Sequence, residues 1–121
     1  MIRLDTNYII RYLINDDEKM AEIAENIILN SITYISNEVL SEVIYVLSGV
    51  YNIPKKDICD MLIQLISFEN IEVENKIILI DTIKIFQDKS LDFVDCLLCR
   101  YSKEDEIKTF DKKLLKCISA Y

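Results

Sequence analysis

Met1-Ile2-Arg3-Leu4-Asp5-Thr6-Asn7 opens the chain, and the reading of this stretch decides the fold. Ile2 and Leu4 fit a short strand, while Asp5, Thr6 and Asn7 supply side-chain oxygens suited to capping a helix that follows at once. A strand that passes directly into a helix is the repeating unit of a parallel α/β sheet. In such a sheet Asp5 stands at the carboxyl end of its strand, the edge where open α/β folds hold their ligands. Two roles are open to Asp5: N-cap of the next helix, or acid of a site. The choice between them turns on whether other acids reach the same edge.

Outward from this stretch, the same alternation recurs. Tyr8 to Ile14 reads as a short, largely buried helix, and Asn15-Asp16-Asp17 ends it and caps the next. Met20, Ile23, Ala24, Ile27 and Ile28 recur at helical spacing between Glu18 and Leu29. Thr33 to Ser36 predicts a second strand, after which Asn37 caps a helix from Glu38 to Tyr51. Pro54 suits the start of a helix over Lys55 to Ser67, and Ile71 to Glu74 predicts a third strand. Two helices follow, Lys76 to Lys89 (led by Ile77, Ile80 and Ile83) and Leu91 to Tyr101. After a polar loop at Ser102 to Asp105, Glu106 to Phe110 predicts a fourth strand, and Asp111 caps a short last helix. The expected fold is a three-layer α/β/α sandwich around a parallel sheet of four to five strands, formed by residues 1–121 as a single domain.

The composition agrees with a packed domain. Of 121 residues, 51% are hydrophobic and 29% charged, which argues against disorder. No apolar run is long enough to span a bilayer, and the amino terminus leads straight into a strand, so a cytoplasmic protein is expected. Four cysteines include Cys96-Leu97-Leu98-Cys99, but the chain has no histidine and Cys59 and Cys117 make no second pair. A zinc site is therefore disfavoured, and all four are expected as buried, reduced core residues. The net charge of −7 departs from the basic footprint usual in nucleic-acid binders, so any such role needs locally concentrated cations.

Four acids stand where folding alone explains them least. Asp5 and Asp111 each follow a strand, which would bring both to one sheet edge. Asp95 lies in Leu91-Asp92-Phe93-Val94-Asp95-Cys96-Leu97-Leu98, apolar on most faces, where a buried carboxylate needs a partner or a cation. Asp92 precedes it by one turn as the expected N-cap. Glu42 falls about 40° from Val46 around its helix, at the border of a stripe of Val39, Val43, Val46 and Leu47. Glu38 lies further out and reads as solvated. Gathered carboxylates repel, and a hard divalent cation relieves that repulsion. Oxygen-only ligands favour Mg²⁺ or Mn²⁺, ions suited to phosphodiester hydrolysis.

Leu4-Asp5-Thr6-Asn7, Ser41-Glu42-Val43-Ile44-Tyr45-Val46-Leu47, Asp92-Phe93-Val94-Asp95-Cys96-Leu97-Leu98 and Thr109-Phe110-Asp111 resemble, in this order, the four motifs of PIN-domain ribonucleases. The likeness is greatest to the compact VapC-type toxins of type II toxin–antitoxin pairs. That resemblance implies a Mg²⁺-dependent endoribonuclease whose catalytic and metal-holding acids are Asp5, Glu42, Asp95 and Asp111. It implies orienting roles for Thr6, Asn7, Asp92 and Thr109, an RNA substrate, a homodimer and a cognate antitoxin. The chain departs from the pattern after Asp111, where Lys116 to Tyr121 leaves a fifth strand short or missing, and in the loop before the fourth strand, which lacks the usual glycine.

Lys108, Lys112, Lys113 and Lys116, with Arg100 and Lys103, make the carboxyl-terminal part the most basic. They form either a solvated face or an RNA contact, and Lys108, Lys112 and Lys113 are the candidates for the latter. Two other classes compete with the nuclease. A receiver-like phosphoacceptor also gathers acids around Mg²⁺ but usually opens with paired acids after its first strand, where this chain has Asp5 alone. A catalytically silent PIN-like binding module would use the same acids only as caps.

Overall fold

The strand that begins the chain, β1 (Ile2–Arg3), passes into α1 (Thr6–Ile14) with Asp5 as the cap between them. The computed structural model describes residues 1–121. There follow α2 (Glu18–Asn30), β2 (Thr33–Tyr34), α3 (Asn37–Gly49), α4 (Lys55–Ile66) and β3 (Ile71–Glu72). The strands form one parallel sheet in the order β1-β2-β3, with Ile2 opposite Thr33 and Thr33 opposite Ile71. Each parallel connection therefore carries a pair of helices, as parallel pairing requires a long crossover. These elements make up a compact unit, Met1–Glu74. Its core is aliphatic: Ile9, Ile28, Ile35, Leu40, Leu47 and Ile66 are fully buried.

Side-chain chemistry explains where these helices start and stop. The Asp17 carboxylate accepts from the Met20 N–H to begin α2. Ser36, rather than the expected Asn37, caps α3 by accepting from the Val39 N–H. Asn37 instead donates to Glu74 Oε2 at 2.8 Å. With a single glycine in the chain, asparagine takes the left-handed positions: Asn15 closes α1 at φ 57° and Asn52 sits at φ 54°. Asparagine tolerates this region because its short polar side chain bonds locally. Asn70 ties the turn before β2 to the one before β3, donating to the carbonyls of Ile28 and Ser31 at 2.6 and 2.8 Å.

Some expected faces differ. On α2 the buried residues are Ala21, Ala24 and Ile28, while Met20 and Ile23 stay exposed. On α3 the buried stripe runs through Leu40, Val43, Ile44 and Leu47, with Val39 and Val46 at its margin. Alternation of apolar residues identified both helices but left their rotation uncertain by about one residue, roughly 100°.

The second unit, Asn75–Tyr121, is helical. It comprises α5 (Lys76–Asp88), α6 (Phe93–Tyr101) and α7 (Lys112–Ala120). Asn75 caps α5 by accepting from the Ile78 N–H. The buried face of α5 is Leu79, Thr82, Ile83 and Ile85, and Ile77 is exposed. Ile85, Cys96, Cys99, Leu114 and Cys117 form a core to which all three helices contribute, with Phe86 against Phe93 edge-on. Arg100 is buried and held on both sides, by Asp81 of α5 at 2.8 Å and Glu104 at 2.9 Å. This removes it from the basic face expected of the carboxyl-terminal stretch.

Two expectations are corrected here. Glu106–Phe110 joins no ladder, so the sheet has three strands instead of four to five. Its strand-like alternation survives in burial, with Ile107 and Thr109 partly covered and Glu106, Lys108 and Phe110 exposed. Alternation marks a half-buried segment, whereas a strand also needs a partner for its N–H and C=O groups. The segment expected to leave a short fifth strand is helical, as part of α7. The cysteines are all buried as expected, but Cys99 and Cys117 form a disulfide, with their Cα atoms 6.1 Å apart. The spacing hid it because the bond joins two helices, whereas the motif Cys96-x-x-Cys99 lies on one. No helix is long and apolar enough to cross a membrane.

Two stability measurements check this account. The Thr33 hydroxyl is fully buried without a hydrogen-bond partner, which costs about 1 kcal/mol or more. Thr33→Val should therefore raise the unfolding free energy measured in urea by about 1 kcal/mol, and a loss of stability would show that the hydroxyl is bonded. The disulfide closes a loop of sequence separation 18, for which chain entropy gives about 3 kcal/mol. Unfolding in urea with a dithiol present should be easier by about that amount.

Candidate acidic site

In the first unit, the carboxyl edge of the sheet collects polar side chains. Asp5 follows β1, is exposed, and accepts from the Tyr8 N–H through Oδ1 at 2.9 Å. Its neighbour Thr6 donates from Oγ1 to Glu42 Oε2 at 3.2 Å, so the first residue of α1 fixes the orientation of an acid on α3. Glu42 is exposed, at the edge of the α3 stripe. Thus Asp5 and Glu42 are linked through one intervening threonine. Asn7 makes no such link; it lines a cleft of about 210 Å³ together with Arg11, Met20 and Ile23.

A further acid lies at this edge. Glu74 follows β3 and accepts from Asn37, the first residue of α3. The sequence predicts Glu74 as the last residue of a strand, whereas the strand ends at Glu72. The available signal was the one used for Asp5: an acid just beyond an apolar strand, here Ile71-Glu72-Val73-Glu74.

In the second unit, Asp92 caps α6 by accepting from the Asp95 N–H at 2.8 Å. Asp111 caps α7 by accepting from the Leu114 N–H at 3.0 Å, and its own N–H donates to Thr109 Oγ1. Thr109 thereby shapes the turn that presents Asp111. Asp95 is partly buried rather than enclosed, and its carboxyl pKa is raised. Burial is the largest cause, followed by the negative charges of Asp92 and then Asp111. Two of the four motif acids, Asp95 and Asp111, are therefore close enough to repel. Lys112 and Lys113 stand exposed directly after Asp111, while Lys108 pairs with Glu106 at 2.7 Å.

The donors in both units are carboxylate and hydroxyl oxygens, and the chain has no histidine. This chemistry fits a hard cation such as Mg²⁺ or Mn²⁺ and not zinc. Burial first, and then repulsion, raises the Asp95 pKa, and such a cation would relieve the repulsion. Neither unit by itself gathers three metal-binding side chains closely enough to hold an ion.

The Asp95 shift has a consequence for stability. A carboxyl whose folded pKa lies above its unfolded value favours the fold when protonated. Its penalty therefore appears as pH rises through the folded pKa. With chelator present, Asp95→Asn should melt higher than the native protein at pH 7, and the difference should shrink as pH falls toward about 4. Equal melting temperatures across that range would contradict the raised pKa of Asp95.

No curated protein and no solved structure matches the chain. The PIN domain family matches over residues 2–117, a span that takes in both units and every acid described above. The order of the acidic motifs, the parallel strands that deliver Asp5 and the carboxylates that crowd Asp95 all accord with that match, and the chain belongs to the PIN-domain family, whose members are typically nucleases using divalent metal ions.

Proposed function

We propose that this protein is an endoribonuclease of the toxin type, hydrolysing RNA phosphodiester bonds in a Mg²⁺- or Mn²⁺-dependent reaction. The observation that carries the reading is the PIN family match over residues 2–117, to which the negative charges of Asp92 and Asp111 acting on Asp95 add support. Carboxylates that repel one another suit a site for a cation. Asp5, Glu42, Asp95 and Asp111 are the acids that would hold the metal. The ion supplies Lewis acidity for phosphodiester hydrolysis.

The remaining roles belong to the protein's own groups. Thr6 Oγ1–H holds Glu42 by Oε2, restricting the glutamate to one orientation. Thr109 Oγ1 accepts the Asp111 N–H and sets the turn from which that acid projects. Asp92 holds the first turn of α6 and adds negative charge beside Asp95. Lys112 and Lys113, next to Asp111, would meet RNA phosphates.

A homodimer and a cognate antitoxin form part of the proposal. The exposure of Met20 and Ile23, adjacent on one face of α2, supports an interface of that kind, because neighbouring exposed apolar side chains favour being covered. The family match supports the nuclease over a receiver-like phosphoacceptor. One observation favours a silent binding module instead: Asp5, Asp92 and Asp111 each spend one carboxylate oxygen on a helix cap.

Cleavage of total RNA separates these readings. The native protein should cut RNA with Mg²⁺ and stop with chelator, and Asp5→Asn and Asp95→Asn should lose at least about 100-fold in rate. Thr6→Val should lose roughly tenfold, as expected for a group that orients a ligand. Undiminished cutting by Asp5→Asn would overturn the nuclease assignment. Absence of cutting, with no rise in melting temperature on adding Mn²⁺, would establish the silent module.

A further inference from the structure

A cleft of about 310 Å³ opens in the second unit between the end of α5 and α7. Three lysines line it: Lys89 at the end of α5, and Lys113 and Lys116 on α7. Its apolar part is formed by Leu91, Cys117 and Ala120. No carboxylate lines it, although acids outnumber bases by 21 to 14 in the chain. Segregation of one charge against the overall balance points to an anionic occupant.

Helix stability does not account for the position of Lys113. It lies in the first turn of α7, where the helix dipole disfavours cations by a few tenths of a kcal/mol or more. Lys112 beside it carries the same cost. The volume lies at the lower end of small-ligand sites, enough for one nucleotide unit and not for a folded peptide segment. Apolar surface framed by lysines suits the face of a base with phosphates on either side. Asp111 caps the same helix, so the cleft begins within about two turns of a candidate site acid.

We infer that this cleft binds one nucleotide of single-stranded RNA, with Lys113 and Lys116 on the phosphates and the base against Leu91, Cys117 and Ala120. It rests on the ribonuclease reading for the choice of RNA as the polyanion. It adds Lys116 of the basic stretch to the candidate contacts and assigns none to Lys108. Without an aromatic platform or a base-edge donor at the floor, binding there is tolerant of sequence.

The test is fluorescence anisotropy of a labelled single-stranded RNA hexamer in EDTA, which blocks cleavage, as salt is varied. Lys113→Ala/Lys116→Ala should bind roughly tenfold more weakly at low salt, with the slope of log affinity against log salt reduced by about 1.4. Lys56→Ala, an exposed α4 lysine in the other unit, should bind as the native protein does. Unlabelled hexamer should displace the probe at lower concentration than an oligoglutamate of equal charge. The inference is overturned if the double variant binds with unchanged slope, if the native protein does not bind the hexamer, or if oligoglutamate competes equally well. Because binding is read in EDTA and cleavage in Mg²⁺, a native protein that binds the hexamer but cuts no RNA would remove the nuclease reading and leave the cleft standing.

Discussion

The first amides of a helix lack partners within it, and the fold depends on how this chain satisfies them. At six helices a side-chain oxygen of the preceding residue accepts one such N–H: Asp5, Asp17, Ser36, Asn75, Asp92 and Asp111. Only α4, entered through Pro54, lacks this bond. Several of these helices span 9 residues, too short to be stable in water alone, so a cap worth about 1 kcal/mol matters. Three of the caps, Asp5, Asp92 and Asp111, also belong to the acidic motifs. A carboxylate anchored by one oxygen presents its charge from a fixed point and keeps its second oxygen outside the cap. Asparagine retains the accepting oxygen and removes the charge, so chemical and structural roles of these residues can be separated.

The parts of this fold written in local chemistry were legible from residues. Asp5, Asp92 and Asp111 read as caps and are caps; Asn-rich turns stand where glycine would usually be, with Asn15 and Asn52 left-handed. Three strands read correctly in place because each is short, apolar and followed by a capping residue. What escaped the reading depends on partners distant in sequence. The Glu106–Phe110 segment has the alternation of a strand without its ladder, and pairing leaves no local mark. The same holds for the Cys99–Cys117 bond, the Asn37–Glu74 contact and the double pairing of Arg100.

The site divides in the same way. The motifs named Asp5, Glu42, Asp95 and Asp111, but Asp95 was expected to be enclosed and is only partly covered. Its neighbours matter as much as its burial. Asp92 was visible one turn earlier on the same helix, whereas Asp111 acts from α7, across a separation that periodicity cannot resolve. The resemblance implies an orienting role for Thr6, and the carboxylate it bonds is Glu42.

An acidic protein proposed to bind RNA must overcome its own field, and the arrangement of its cations bears on how. Arg100 is neutralised by Asp81 and Glu104, and Lys108 by Glu106, so both are poorly placed to attract a phosphate. The exposed lysines that follow Asp111 on α7 are differently placed, as they line the acid-free cleft or flank it. At physiological salt the Debye length is about 8 Å, so the remote carboxylates are screened while contacts at the cleft are not. Salt should then act in two directions, weakening the lysine contacts while relieving repulsion from the rest of the surface. A net charge of −7 is compatible with an RNA substrate on these terms, because the local distribution and not the total governs the contact.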